Sequence, residues 1–205
     1  MEIEEDSMLK MMGRVIGVMV LGVSLLLSWE FDHKVKLDES GFWGAHYDIP
    51  KIATVGIVAT ALYEGTESRF GRTSWKSLDA GIMSQLIAEI AKRGTGRLRP
   101  RDSDSSSEWF SGGKSFFSGH VSGMTALVTP YILEYQEESP WVHLLWAFPL
   151  HQMGGRLKAQ AHWQSDVLIG ALVGFASGYW AYKRETPLLL YFDSDKVMVG
   201  LKHHF

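Results

Sequence analysis

Residues 162–183 read HWQSDVLIGALVGFASGYWAYK, and this stretch decides the fold class. Apolar residues recur along it at helical period, and Lys183 and Arg184 close it, so it predicts one long helix. Gly170, Gly174 and Gly178 stand four apart, a ridge of small residues that lets a neighbouring helix pack closely. The same period returns in residues 15–27, 51–63, 78–92, 119–135 and 141–153, while strand-type alternation is scarce. The chain therefore reads as all-α: a single helical bundle domain of about six helices, preceded by an N-terminal signal or anchor helix.

The N-terminal segment carries Lys10 and Arg14 ahead of the apolar run 15–27, the order of a secretory signal, but Ser28, Trp29 and Glu30 follow it without a small-x-small cleavage site. Residues 1–29 are accordingly expected to be a signal peptide or a retained membrane anchor, and 30–205 the functional domain with its core at 78–180. The later apolar runs mostly fall short of a membrane span, and the mean hydropathy of −0.03 fits buried helices, with a polytopic protein as the alternative. Residues 30–50 and 64–77 are polar and turn-rich and read as surface connections in which His33 and His46 are solvated. Residues 101–115, RDSDSSSEWFSGGKS, form an irregular loop of the length lids have. The alternation of Val197, Val199 and Leu201 predicts a short strand near the C-terminus, with His203 and His204 in an exposed tail.

Composition removes several functions. There is no cysteine, so disulfides, thiolate metal sites and a cysteine nucleophile are excluded. A formal net charge of −3 without a basic stripe argues against nucleic acid as a partner.

Three short patterns carry chemistry: Lys92 with Arg99 and Pro100, then Ser118-Gly119-His120, then Arg156 with His162 and Asp166. Lys92, Arg99 and Arg156 supply three cations, as a phosphoryl group in transfer requires for its three equatorial oxygens. Ser118 precedes a helical run as an N-cap, so the N–H groups of Gly119 and His120 would face an anion. His162 and Asp166 stand four apart, which would put both on one helix face with the carboxylate accepting from the imidazole. That bond would leave the other ring nitrogen free to attack phosphorus. Arg97 and Arg101 fall outside the patterns. His143 and His151 have no motif partner and read as structural. Phe116, Phe117 and Trp163 serve either the core or the wall of an apolar pocket.

Taken together and in this order, the patterns resemble the three signature motifs of the type 2 phosphatidic acid phosphatase superfamily over roughly residues 78–180. The resemblance implies a metal-independent phosphatase acting through a phosphohistidine, with His162 as nucleophile, His120 as general acid and Asp166 as the partner of His162. Lys92, Arg99, Ser118, Gly119 and Arg156 would bind phosphate, and no cofactor or metal is implied. The implied substrate is a lipid phosphate or diphosphate, of phosphatidate or polyprenyl diphosphate type, met at the periplasmic face of a bacterial inner membrane. A periplasmic acid phosphatase for small phosphomonoesters, a vanadium-dependent haloperoxidase and a non-catalytic phosphate-binding membrane protein are the alternatives. Two positions depart from the family pattern: Phe117 stands where proline usually precedes the Ser-Gly-His triplet, and Gly155 where serine usually precedes the arginine. The second departure removes a phosphate hydrogen bond.

Overall fold

The computed structural model describes residues 31–187 and the backbone of 191–193 and 196–198. The expected signal or anchor helix and the histidine-bearing tail lie outside the described residues. Among the described residues six α-helices follow one another: α1 (Gly41–Gly44), α2 (Ile49–Glu64), α3 (Arg69–Thr95), α4 (Gly119–Tyr135), α5 (Ala147–Lys158) and α6 (Gln164–Lys183). A 3-10 turn, Ala45–Tyr47, joins α1 to α2, and another, Pro140–Trp146, leads into α5. A two-stranded antiparallel hairpin, β1 (Tyr191–Asp193) with β2 (Lys196–Met198), follows with Tyr191 opposite Met198. Apart from it the described chain is helical, and no described helix is long and apolar enough to cross a membrane.

α3, α4 and α6 form the centre, and they approach closely because their contact surfaces are small. Ala80, Ala126 and Ala181 meet there, each wholly buried. A Cβ on Gly170 would lie 2.8 Å from the Ser118 carbonyl oxygen, and one on Gly174 or Gly178 would run into the Ser122 carbonyl or Thr129. The glycine ridge expected on this helix thus sets the α4–α6 distance. On the far side of α4, Met124, Val128 and Ile132 pack against Ile49, Ala53, Val142, Leu145 and Trp146.

The reading of 64–77 as a surface connection is overturned. Residues 69–77 form the first turns of α3, capped by the Ser68 hydroxyl, which accepts from the Gly71 N–H at 2.9 Å. The polar side chains that suggested a loop are buried and bonded: Thr73 donates to the Arg69 carbonyl, Ser74 to the Phe70 carbonyl and Ser77 to the Leu127 carbonyl of α4. Tyr131 donates in turn to Ser74 at 2.7 Å. Polar groups paired in this way sit in a core at little cost, and residue polarity alone does not reveal them.

Gly174→Ala is expected to destabilise the fold by about 1 to 3 kcal/mol, since a methyl group there overpacks the α4–α6 contact. Gly56→Ala on α2, where a Cβ meets nothing within 4 Å, should be neutral or stabilising by up to about 1 kcal/mol. Urea denaturation midpoints of the two variants provide the comparison.

Candidate active site

The site forms where α3 ends, α4 begins and α6 begins. Gly96, in the left-handed conformation at φ 55°, stops α3 and turns the chain into the loop 96–118. This loop is tied down along its length. Phe110 N–H donates to the Thr95 carbonyl at 2.7 Å, Leu98 N–H to Glu108 at 3.0 Å and Ser115 N–H to Arg97 at 3.0 Å. Gly113 packs its Cα against the backbone of Arg97 so tightly that no side chain fits. The segment read as lid-like is therefore a bonded surface loop whose two ends hold Arg97 beside Ser115.

Arg97, left outside the motif by the sequence patterns, lies at the heart of the site with 2 % of its side chain exposed. Its Nη1 donates to Asp166 Oδ1 at 2.6 Å and to Ser165 Oγ at 2.8 Å, and its Nη2 to Asp32 Oδ2 at 2.6 Å. Nε donates to the Ser106 carbonyl, and the guanidinium lies over the Trp109 ring at 4.5 Å. Asp32, in a stretch expected to be a surface connection, accepts from the Ser165 N–H at 2.7 Å and so ties residues 31–33 to α6. An arginine with five donors is the side chain able to satisfy two buried carboxylates at once.

His162 is not on the helix with Asp166, as the four-residue spacing had suggested. α6 begins at Gln164, and Asp166 occupies its third position, where Oδ2 accepts from the Trp163 N–H at 2.9 Å. His162 precedes that turn, its Nδ1 2.6 Å from the Ser115 carbonyl and 3.8 Å from Asp166 Oδ2. The bond expected from imidazole to carboxylate is thus made to a backbone carbonyl, because Arg97, Ser115 and Trp163 already engage the carboxylate. A carbonyl only accepts, so Nδ1 carries the proton and Nε2 presents its lone pair. Burial pushes the His162 imidazole down to about 4, with the Asp166 charge opposing part of that shift. Burial alone would raise the Asp166 carboxyl, but His162, Arg97 and Ser115 hold it below the usual carboxylate range.

Ser118 caps α4, its Oγ accepting from the Val121 N–H at 3.5 Å, and its own N–H donates to the Asp166 carbonyl at 3.1 Å. That bond sets the first turn of α4 against the first turn of α6. Gln85 Nε2 donates to the Gly119 carbonyl at 2.6 Å, and Lys92 Nζ lies 3.0 Å from where a Gly119 Cβ would stand. Lys92 and Arg99 are half-buried and Arg156 is buried; burial lowers the pKa of all three, that of Arg156 to about 10, which leaves it charged at neutral pH. Among the described residues none of these three cations is paired with a carboxylate. His120 opens toward solvent, but the protein packed around it, with Arg156, His162, His46 and Lys92, lowers its pKa to about 3. The cations and both histidines are close enough to feel one another's charge.

An apolar groove of about 610 Å³ leads away from His120, lined by Pro50, Leu78, Ile82, Leu86, Met124 and Leu127. It meets the cationic cluster at Gly119 and His120, with Gln85 and Glu89 also on its wall. A second groove of about 420 Å³ shares Met124 and Leu127 with it and continues past Phe70, Tyr131 and Phe148. Trp163 and Phe117 are buried in the core, Trp163 Nε1 donating to the Leu98 carbonyl at 2.9 Å, so they do not wall this groove. His46, expected to be solvated, is completely buried beside Arg156. No group of three or more His, Cys, Asp or Glu among the described residues is placed to hold a metal ion.

Cations without carboxylate partners, a helix N-terminus and a histidine with one free nitrogen make an arrangement able to attract a compact oxyanion. The chain belongs to the PAP2 superfamily, whose sequence pattern residues 75–187 match. It is 31% identical over 124 residues to a lipid A 1-phosphatase of Porphyromonas gingivalis, an alignment covering 58% of this chain and 26% of that protein. The chain thus spans about a quarter of the length of that curated relative. The crystal structure of Aquifex aeolicus LpxE shares the fold, with a TM-score of 0.51 at 17% identity over 69% of this chain and 86% of that one.

The depressed histidines have a consequence for stability. From its ordinary value of 6.5, His162 falls to about 4 in the folded protein. Between these values the unfolded chain binds more protons, so stability declines as pH falls through that window and this contribution levels off below about 4. Denaturation midpoints measured from pH 7 to pH 4 should follow this course, and His162→Asn should make it shallower, while His120, lowered to about 3, keeps a slope of its own.

Proposed function

We propose that the protein is a metal-independent lipid phosphate phosphatase that works through a phosphohistidine on His162. The observation that carries this reading is that His120 lines an apolar groove and lies beside Arg156 and Lys92, which neighbour Arg99 in turn. A phosphorylated lipid has both halves of that shape. Its phosphate would lie against the three cations and the N–H groups of Gly119 and His120, its tail along Ile82, Leu86 and Leu127.

His162 Nε2 attacks phosphorus, and the bond to the leaving oxygen breaks as His120 protonates it. His120 then takes a proton from water, which attacks the phosphohistidine and releases inorganic phosphate and the neutral His162. Arg97 and Asp166 hold the loop and turn that frame His162. In this scheme the incoming phosphate charge raises the His120 pKa, so the acid is made ready by its own substrate. Phosphatidate, a polyprenyl diphosphate and, from the name of the curated relative, lipid A phosphorylated at its 1-position are the substrates to compare. Exposed Ile52, Val55 and Leu62 on α2, with Ile82, Leu86 and Ile90 on α3, support association with a membrane surface, and the periplasmic face of a bacterial inner membrane is the compartment we propose.

Phosphate release measured with EDTA present on these lipids and on para-nitrophenyl phosphate tests the reading. Release should persist in EDTA and vanish in His162→Ala, while His120→Ala should still form a trapped phosphoenzyme from the good leaving group. Absence of release from every substrate, or equal loss of trapping in both variants, would sink the assignment.

Ile82→Gln should lower kcat/KM for a long-chain lipid phosphate by roughly tenfold, the cost of an amide in an apolar groove, and leave para-nitrophenyl phosphate hydrolysis unchanged. Parallel kinetics on the two substrates separate these outcomes.

A further inference from the structure

Gly155, which departs from the family pattern, lies against His46. A Cβ at Gly155 would lie 2.5 Å from His46 Cβ, 2.7 Å from Cγ and 2.9 Å from Nδ1. A Cβ on the adjacent Gly154 would lie 2.3 Å from Cζ3 of the Trp43 ring. Two consecutive glycines of α5 thus form a notch that takes up Trp43 and His46. The Phe42 carbonyl, 2.7 Å from His151 Nε2, fastens the segment to α5 at a further point. Residues 42–46, which read as a surface connection, are docked on the helix that carries Arg156.

The imidazole of His46 is held in one state. Its Nδ1 lies 2.6 Å from the Trp43 carbonyl, which only accepts, so Nδ1 bears the proton. Nε2 then offers a lone pair, and Arg156 Nη1 stands 3.2 Å from it. Burial, with Arg156 adding to it, keeps the ring neutral and therefore able to accept. The Tyr47 ring lies 5.7 Å from the same guanidinium.

We infer that His46 is the positioning residue for Arg156, supplied from outside the motif and seated in the space opened by Gly155. By fixing Nη1 from one side it holds the guanidinium plane, leaving the remaining donors to the phosphate. This rests on the phosphatase reading only for its kinetic readout; anion binding tests it independently.

His46→Leu keeps most of the volume and removes the acceptor, whereas His46→Gln restores one. His46→Leu should weaken orthovanadate binding, followed by calorimetry, and lower kcat/KM on para-nitrophenyl phosphate by on the order of tenfold. His46→Gln should recover most of both. Unchanged vanadate affinity in His46→Leu, or equal impairment of the two variants, would overturn the inference. Should His46→Leu fail to fold, the glycine provides a second test. Gly155→Ala collides with His46, displaces it from Arg156 and should lose vanadate affinity; adding His46→Gly relieves the collision but leaves Arg156 Nη1 without its acceptor, so the affinity should stay low. A double variant that binds vanadate as tightly as the wild type would overturn the positioning role. Wild-type protein that binds vanadate but hydrolyses nothing would overturn the hydrolase reading, and the binding data would then decide the role of His46 alone.

Discussion

The rest of this structure depends on burying Arg97 between Asp32 and Asp166. Three charges removed from water would be ruinous if any went unpaired, since an uncompensated buried ion costs several kcal/mol. Here every donor of the guanidinium that faces the protein finds an acceptor: two carboxylates, a serine hydroxyl and the Ser106 carbonyl. The group joins four parts of the chain that no hydrophobic contact would bring into register: residues 31–33, the end of α3, the loop 96–118 and the start of α6. Asp166, anchored by Arg97, caps α6 and receives the Ser115 hydroxyl, and the Ser115 carbonyl fixes His162. The tautomer of His162 is thus set through a chain of bonds that begins at Arg97.

Helical periodicity made much of the fold legible. The bounds of α4 and the Ser118 cap follow from a serine ahead of an apolar run, and the glycine ridge of α6 announces a close neighbour. α3 was legible only in its second half. Its first turns contain Arg69, Arg72, Thr73, Ser74 and Ser77, which look like a loop because their polarity is counted without their partners. Ser77 finds its acceptor on Leu127 and Ser74 its donor on Tyr131, both on α4. Such pairs form across the chain and leave no periodic trace in it.

The candidate site divides in the same way. The side chains able to carry charge or attack were visible as residue types at set spacings. What holds them was not. His162 is oriented by Ser115, Arg97 is matched by Asp32, and Arg156 faces His46, each pair distant in sequence and joined only by the fold. The four-residue interval between His162 and Asp166 was misleading for a local reason: the aspartate is a capping residue, and a capped helix begins after the residue whose N–H it receives. The sequence showed Arg97 only as an arginine outside the patterns, and its burial and meaning appear once its two carboxylates are found.

The glycine ridge also bears on how the protein is made. Each interior glycine costs a helix about 1 kcal/mol relative to alanine, so α6 alone is a poor helix. Its order comes from docking against Ser118, Ser122 and Thr129 of α4. During synthesis α4 leaves the ribosome first, with a face shaped for a partner not yet translated. Both halves of the site therefore depend on α6 having been translated, and a nascent chain stopped before it would leave Ser118, Ser122, Ala126 and Thr129 of α4 uncovered.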